Sequence, residues 1–279
     1  MEKRSAYTAI AADVAQGELA FPTSAQVAMR VRRALEDPDC HMETAARLVQ
    51  AEPLLSARVV AIANSVVFNR SGREITDVRS AVVRLGFRTV RALATALVTR
   101  QLAGGAAGQG EQDLAAQLWQ HTAHVASLAH VIARRITRLD PETALFAGII
   151  HEVGGFYMLS RAKDFPGLLD GELTDWIEAG EVEVGRAVLG VLAVPQPVMA
   201  AIETFWDGFL AMPPVTLADT LLLAEELAPV GSPLHKLGGR ERGEGMTASL
   251  DMALGKETLT SILDESAEEV ESLTGALQF

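Results

Sequence analysis

The sequence predicts an all-α fold, and three observations predict it. Apolar residues make up 49% of the 279-residue chain but aromatics only 5%, so the core must be built largely from Ala, Leu and Val, which suits packed helices better than sheets. Apolar residues recur at spacings of three and four through almost every segment, with no alternating strand pairs and no internal repeat. Helix-boundary residues, an acid before proline or a glycine after an apolar run, fall at the ends of these stripes.

Taken in order, a first helix is expected from about Ser24 to Leu35, with Val27, Val31 and Leu35 in line, ended by Asp37-Pro38-Asp39. A second runs from Met42 to Gln50 and stops before Glu52-Pro53. A third starts at about Leu54 and ends at Asn64-Ser65. Thr76 is the expected N-cap of a helix carrying Val78, Ala81, Val82 and Leu85, closed by Gly86, and another follows with Val90, Leu93, Ala94, Leu97 and Val98. Beyond the Gly/Ala-rich stretch Ala103–Gly110 comes the clearest stripe, Leu118, Thr122, Val125, Ala129, Ile132 and Ile136. Asp140-Pro141 then opens a helix expected to run from Glu142 to Leu159. Further helices fit residues 181–192, 197–209, 215–228 and 256–277. The last of these is read as amphipathic, with Leu259, Ile262, Leu263, Val270 and Leu273 on its apolar side and Asp264–Glu271 wet.

Charge and composition exclude several classes. No stretch is apolar enough to span a membrane, and the N-terminus is too polar and acidic for a signal peptide. A single cysteine rules out an internal disulfide framework or a multi-thiolate zinc site, and points to a reducing, cytoplasmic setting. The net charge of −12 argues against general binding of nucleic acid or anionic membrane. Residues 1–110 hold 14 Lys/Arg against 10 Asp/Glu, a balance of +4, whereas residues 111–279 hold 10 against 26, a balance of −16. Two sections with different surfaces follow from this.

The residues able to carry chemistry are mostly histidines. There is no phosphate-binding glycine loop and no nucleophile elbow, and Cys40 reads as part of a turn leading into a helix. His121 lies on the apolar stripe and points inward, His124 lies at its edge, and His130 falls on the polar face with Arg134. His151-Glu152 follows the apolar turn Phe146–Ile150 and can face the same interior as His121. Spacing alone leaves two readings: a divalent-metal set, or core histidines hydrogen-bonded to backbone or to each other. The arginines Arg84, Arg88 and Arg91, spaced i, i+4, i+7, are the candidate anion or acidic-partner surface, with a solvated helix face as the plainer reading. If exposed, they should tolerate charge reversal without loss of fold.

Several of these series, in order, resemble the HDOD domain family, the HD-related output domain of bacterial signalling proteins. They are Leu19–Met29, Asp37-Pro38-Asp39 and Glu52-Pro53-Leu54-Leu55; then Ala63-Asn64-Ser65, Ile75-Thr76 and Ala81–Gly86; then Leu118-Trp119-Gln120-His121, Gly148–Gly155, Glu183-Val184-Gly185 and Val194–Val198. The resemblance covers roughly residues 19–228. It implies an HDOD domain over 19–214, with an N-terminal helical half at 19–103 and an HD-like half at 111–214. Helices in 215–279 are expected to pack back on the HD-like half.

HD phosphohydrolases hold metal ions with a His, a His-Asp doublet and a later Asp. Here His121 and His151 match, but the two aspartates are Glu152 and Glu225. Gly155 replaces a lysine, and Phe205-Trp206 stands where relatives often carry a His pair. The resemblance therefore implies a degenerate site at His121, His151, Glu152 and Glu225, with no catalytic residue, metal or cofactor. The implied function is a non-enzymatic signal-transduction module that contacts other signalling or regulatory proteins and admits a homodimer. The alternative is a metal-dependent phosphohydrolase acting on a nucleotide or cyclic dinucleotide. A third reading is a small-ligand pocket left where the metal site was.

Overall fold

The computed structural model describes residues 2–16, 23–102, 108–211, 213–239 and 256–278, and every regular element among them is helical. In the N-terminal half, α2 (Thr23–Ala34), α3 (Met42–Gln50) and α4 (Pro53–Asn64) pack around α5 (Val78–Leu102). Glu52 caps α4 by accepting from Leu55 N–H, with Pro53 at the first helical position. α5 begins one residue later than Thr76 would set it, because Asp77 Oδ1 accepts from Ser80 N–H at 2.8 Å and so acts as the cap. Inside α5, Gly86 takes φ 74° and ψ 166°, a conformation that splits the element into the two expected helices and that a Cβ would strain.

The Asn64-Ser65 series has a visible purpose. The Asn64 amide donates to Ile75 O at 2.7 Å and accepts from Ile75 N–H at 2.8 Å, so it stands in for a backbone partner. Ser65 Oγ donates to Ile62 O at 2.7 Å. Together they tie the loop before α5 to the end of α4, where helix carbonyls would otherwise lack donors.

In the C-terminal half, α6 (Gln109–Ile132) is central, packed against α7 (Pro141–Ile150), α11 (Leu217–Leu227) and the C-terminal α13 (Lys256–Leu277). It unwinds through a π-turn at Ala133–Thr137, and Arg138 closes it with φ 57°. α7 starts with Asp140 as cap and Pro141 behind it. The expected helix 142–159 is two helices: Glu152, at φ −102° and ψ 16°, ends the first run, and α8 (Val153–Arg161) starts afresh. Small residues set this break. A Cβ on Gly148 would lie 2.5 Å from Ala126 Cα of α6, and one on Gly154 would lie 2.7 Å from Gly185 Cα of α9 (Glu181–Val191). The backbones therefore approach more closely than any side chain would allow. α10 (Gln196–Asp207) stacks on α9 and α11, with the Trp206 ring over Gly185.

Three further elements depart from the sequence reading. α1 (Lys3–Ala15) was not expected; it buries Tyr7, Ile10 and Val14 against α9, and Tyr7 meets Trp176 edge-on at 5.4 Å. The short α12 (Pro233–Leu237), capped by Ser232, was also not expected. α13 packs on α6 and also reaches the N-terminal half, where Ser272 Oγ accepts from Val66 N–H at 3.1 Å. Its acidic side is not all wet, since Glu269 pairs with Arg134 and Glu265 with Arg135. The side chains of Leu259, Ile262 and Leu263, and most of the link Ala103–Gly110, lie outside the described residues. No helix among the described residues is long and apolar enough to cross a membrane.

Candidate functional site

The four predicted HD positions come together between α6, the α7–α8 break and α11. His121 Nε2 lies 3.0 Å from Glu225 Oε2 and 3.3 Å from His151 Nε2, and Glu152 Oε1 lies 3.9 Å from His121 Nε2. His121 points inward because it is three residues after Leu118 and four before Val125 on a helix buried on nearly all sides. The helix break carries His151 and Glu152 into the same interior. His121, His151 and Glu152 are 0%, 1% and 2% exposed.

Each imidazole is oriented by its other nitrogen. His121 Nδ1 donates to Val230 O at 2.8 Å and His151 Nδ1 donates to Gly148 O at 2.6 Å, which turns both Nε2 atoms into the cluster. Their pKa values move in opposite directions. Burial pulls the His121 pKa down, but the Glu225 carboxylate, with Glu152 and the Val230 carbonyl behind it, outweighs that and holds it above the ordinary value. Burial lowers the His151 pKa, aided by the neighbouring His121, so His151 is neutral. Burial would raise the Glu225 pKa, but the three surrounding imidazoles, His121 first, bring it down to about 2.

Sequence reasoning missed two members of the cluster, Glu181 and His235. His235 on α12 lies 3.1 Å from Glu181 Oε1, 3.8 Å from Glu152 Oε1 and, through Nδ1, 3.9 Å from Glu225 Oε1. Burial opposes its charge, but Glu152, Glu181 and Glu225 raise its pKa to about 9. Glu181 was legible: it precedes Val184, Gly185, Val188 and Leu189 at i+3, i+4, i+7 and i+8, and so sits on the buried face of α9. His235 was signalled by Ser232-Pro233, a cap followed by an N1 proline. α12 can seat there because Gly155 has no side chain: a Cβ would lie 2.6 Å from Leu234 Cδ1. The position that resembles a family lysine is thus used for packing.

The other predicted residues fall elsewhere. Phe205 stacks edge-on against His151 at 5.5 Å and closes one wall, and Trp206 lies on Gly185. His130 is not on a polar face but is buried beside Phe68, because the loop after α4 covers this end of α6. Arg84, Arg88 and Arg91 do not form one free face. Arg84 donates to Ala63 O and Arg73 O, and Arg88 pairs with Asp140 and Glu142 across the two halves.

Comparison with solved structures finds the same architecture in other proteins. One is a Shewanella amazonensis protein provisionally described as a metal-dependent phosphohydrolase, with a TM-score of 0.68 and 21% identity, covering 99% of this chain and 100% of that one. Another is an HDOD domain protein of unknown function from Geobacter sulfurreducens, with a TM-score of 0.62 and 23% identity over 98% of both chains. A third, from Marinobacter aquaeolei, is provisionally described as a signal transduction protein. It has a TM-score of 0.56 and 22% identity, covering 93% of this chain and 60% of that one. At these identities the likeness speaks for the fold. No curated protein matches the chain. The HDOD domain model matches residues 21–192, well over half the chain and most of both halves around the buried cluster. This protein belongs to the HDOD domain family.

Proposed function

We propose that the chain is a signal-transduction module that works by contact with other regulatory proteins, with its HD-type centre kept as a closed polar core and not used for turnover. The observation that carries this reading is the closure of the centre. Phosphoester hydrolysis needs a nucleophilic water and a phosphate at one place, with a path for both. Here α12 lies over the cluster, Leu234 fills the space above Gly155, and the Phe205 ring stands against His151. The glutamates turn toward imidazoles within the cluster.

The test is turnover of bis(4-nitrophenyl) phosphate and of a cyclic dinucleotide, with manganese supplied, by wild type and His151→Ala. The expected result is no turnover above that of the variant. Metal-dependent turnover that disappears in His151→Ala would make the hydrolase reading the correct one.

A further inference from the structure

We propose that Glu152, Glu181 and His235 form a divalent-cation site that clamps α12 onto α8 and α9. Only Glu152 belongs to the HD positions read from the sequence, and His235 lies outside the segment that the family model matches. The proposal goes beyond the contact-module reading and does not depend on it.

Geometry is the first argument. The three donor atoms lie within 4.8 Å of one another, with His235 Nε2 3.1 Å from Glu181 Oε1 and 3.8 Å from Glu152 Oε1. Oxygen and nitrogen ligands each about 2.0–2.2 Å from one ion stand roughly 3–4 Å apart. The two separations from His235 are those of groups facing a common centre.

The second argument is an independent one. Both carboxylate oxygens of Glu152 are buried and accept no hydrogen bond. The nearest imidazole nitrogens, at 3.8 and 3.9 Å, are beyond hydrogen-bond reach. His235 Nε2 carries one proton at most, and Glu181 is the nearer acceptor. A carboxylate buried without a donor is costly, and a cation between the three groups would satisfy it directly. Two carboxylates and one imidazole suit manganese or zinc and offer no soft ligand. His121 and His151 face each other and Glu225, and His121 Nε2 lies 3.9 Å from the same Glu152 oxygen that faces His235.

The experiment strips the full-length protein with chelator, dialyses it against manganese or zinc, and measures bound metal and melting temperature. Wild type should retain about one equivalent and melt higher with metal than without. Glu181→Gln, which keeps the side-chain size, and His235→Ala should each lose the bound metal and the rise in melting temperature. His124→Ala, a histidine outside the cluster, should keep both. Circular dichroism in chelator shows whether each variant is folded, and Glu181→Gln decides if His235→Ala is not. Absence of metal from wild type would overturn the proposal. So would retention of wild-type stoichiometry by Glu181→Gln, since the ion would then sit on His121 and His151. Turnover in the phosphoester assay bears on the contact-module reading alone.

Discussion

His130 is the residue whose environment differs most from its sequence reading, and it makes a pH prediction. Burial, with Arg134 and Arg70 adding and Asp140 opposing, lowers its pKa to about 4. A histidine depressed in the folded state and ordinary in the unfolded state contributes stability above pH 6.5, and that contribution is lost as pH falls from 6.5 toward 4. Wild type should lose on the order of 2 kcal/mol more than His130→Phe between pH 7 and pH 5, read from urea midpoints at each pH. Parallel losses would show that His130 is not held neutral. Periodicity put His130 on the polar face with Arg134, and it could not show that the loop carrying Phe68 covers that face. Glycines give a second prediction at this scale. Gly148→Ala would push a methyl into the α6 backbone, and Gly154→Ala one into α9. Each should cost about 1–3 kcal/mol by denaturation. Gly110→Ala, with open space around it, should cost nothing comparable.

At the scale of the element, long helices were legible because their stripes and caps agree. Asp140-Pro141, Glu52-Pro53 and the Gly86 kink all sit where the residues indicate. Helices whose purpose is tertiary were harder to read. α12 is five residues long, too short for a stripe, yet it brings His235 into the cluster. α1 is alanine-rich, and only its partner surface shows that Tyr7, Ile10 and Val14 are core. The His151-Glu152 break is set by close approach to α6 and α9, which no local propensity reports. α13 fastens both halves: Trp119 Nε1 donates to Leu277 O at 3.1 Å, and Leu273 is fully buried. Leu273→Ala should therefore cost about 2–5 kcal/mol. A near-neutral effect in chemical denaturation would mean that α13 is not part of the cooperative fold.

Across the whole molecule, four of the six cluster residues were identified from the sequence. Their enclosure was not, because it depends on Gly155, Leu234 and Phe205 meeting from three separate helices. The charge division between halves is likewise used in part internally: Arg88 joins Asp140 and Glu142 across the two halves. Reversing Arg84, Arg88 and Arg91 should thus disturb the interface between the halves and not leave the fold untouched.

The central claim is that the buried histidine–glutamate cluster is shut to molecules the size of a phosphoester, and histidine reactivity tests it most directly. Diethyl pyrocarbonate acylates accessible neutral imidazole, and His151 is neutral, so only burial can protect it. Mass-mapped labelling of the native protein should modify the exposed His41 promptly and leave His151 unmodified until the chain is unfolded. Labelling of His151 at a rate comparable to His41 under native conditions would contradict the account.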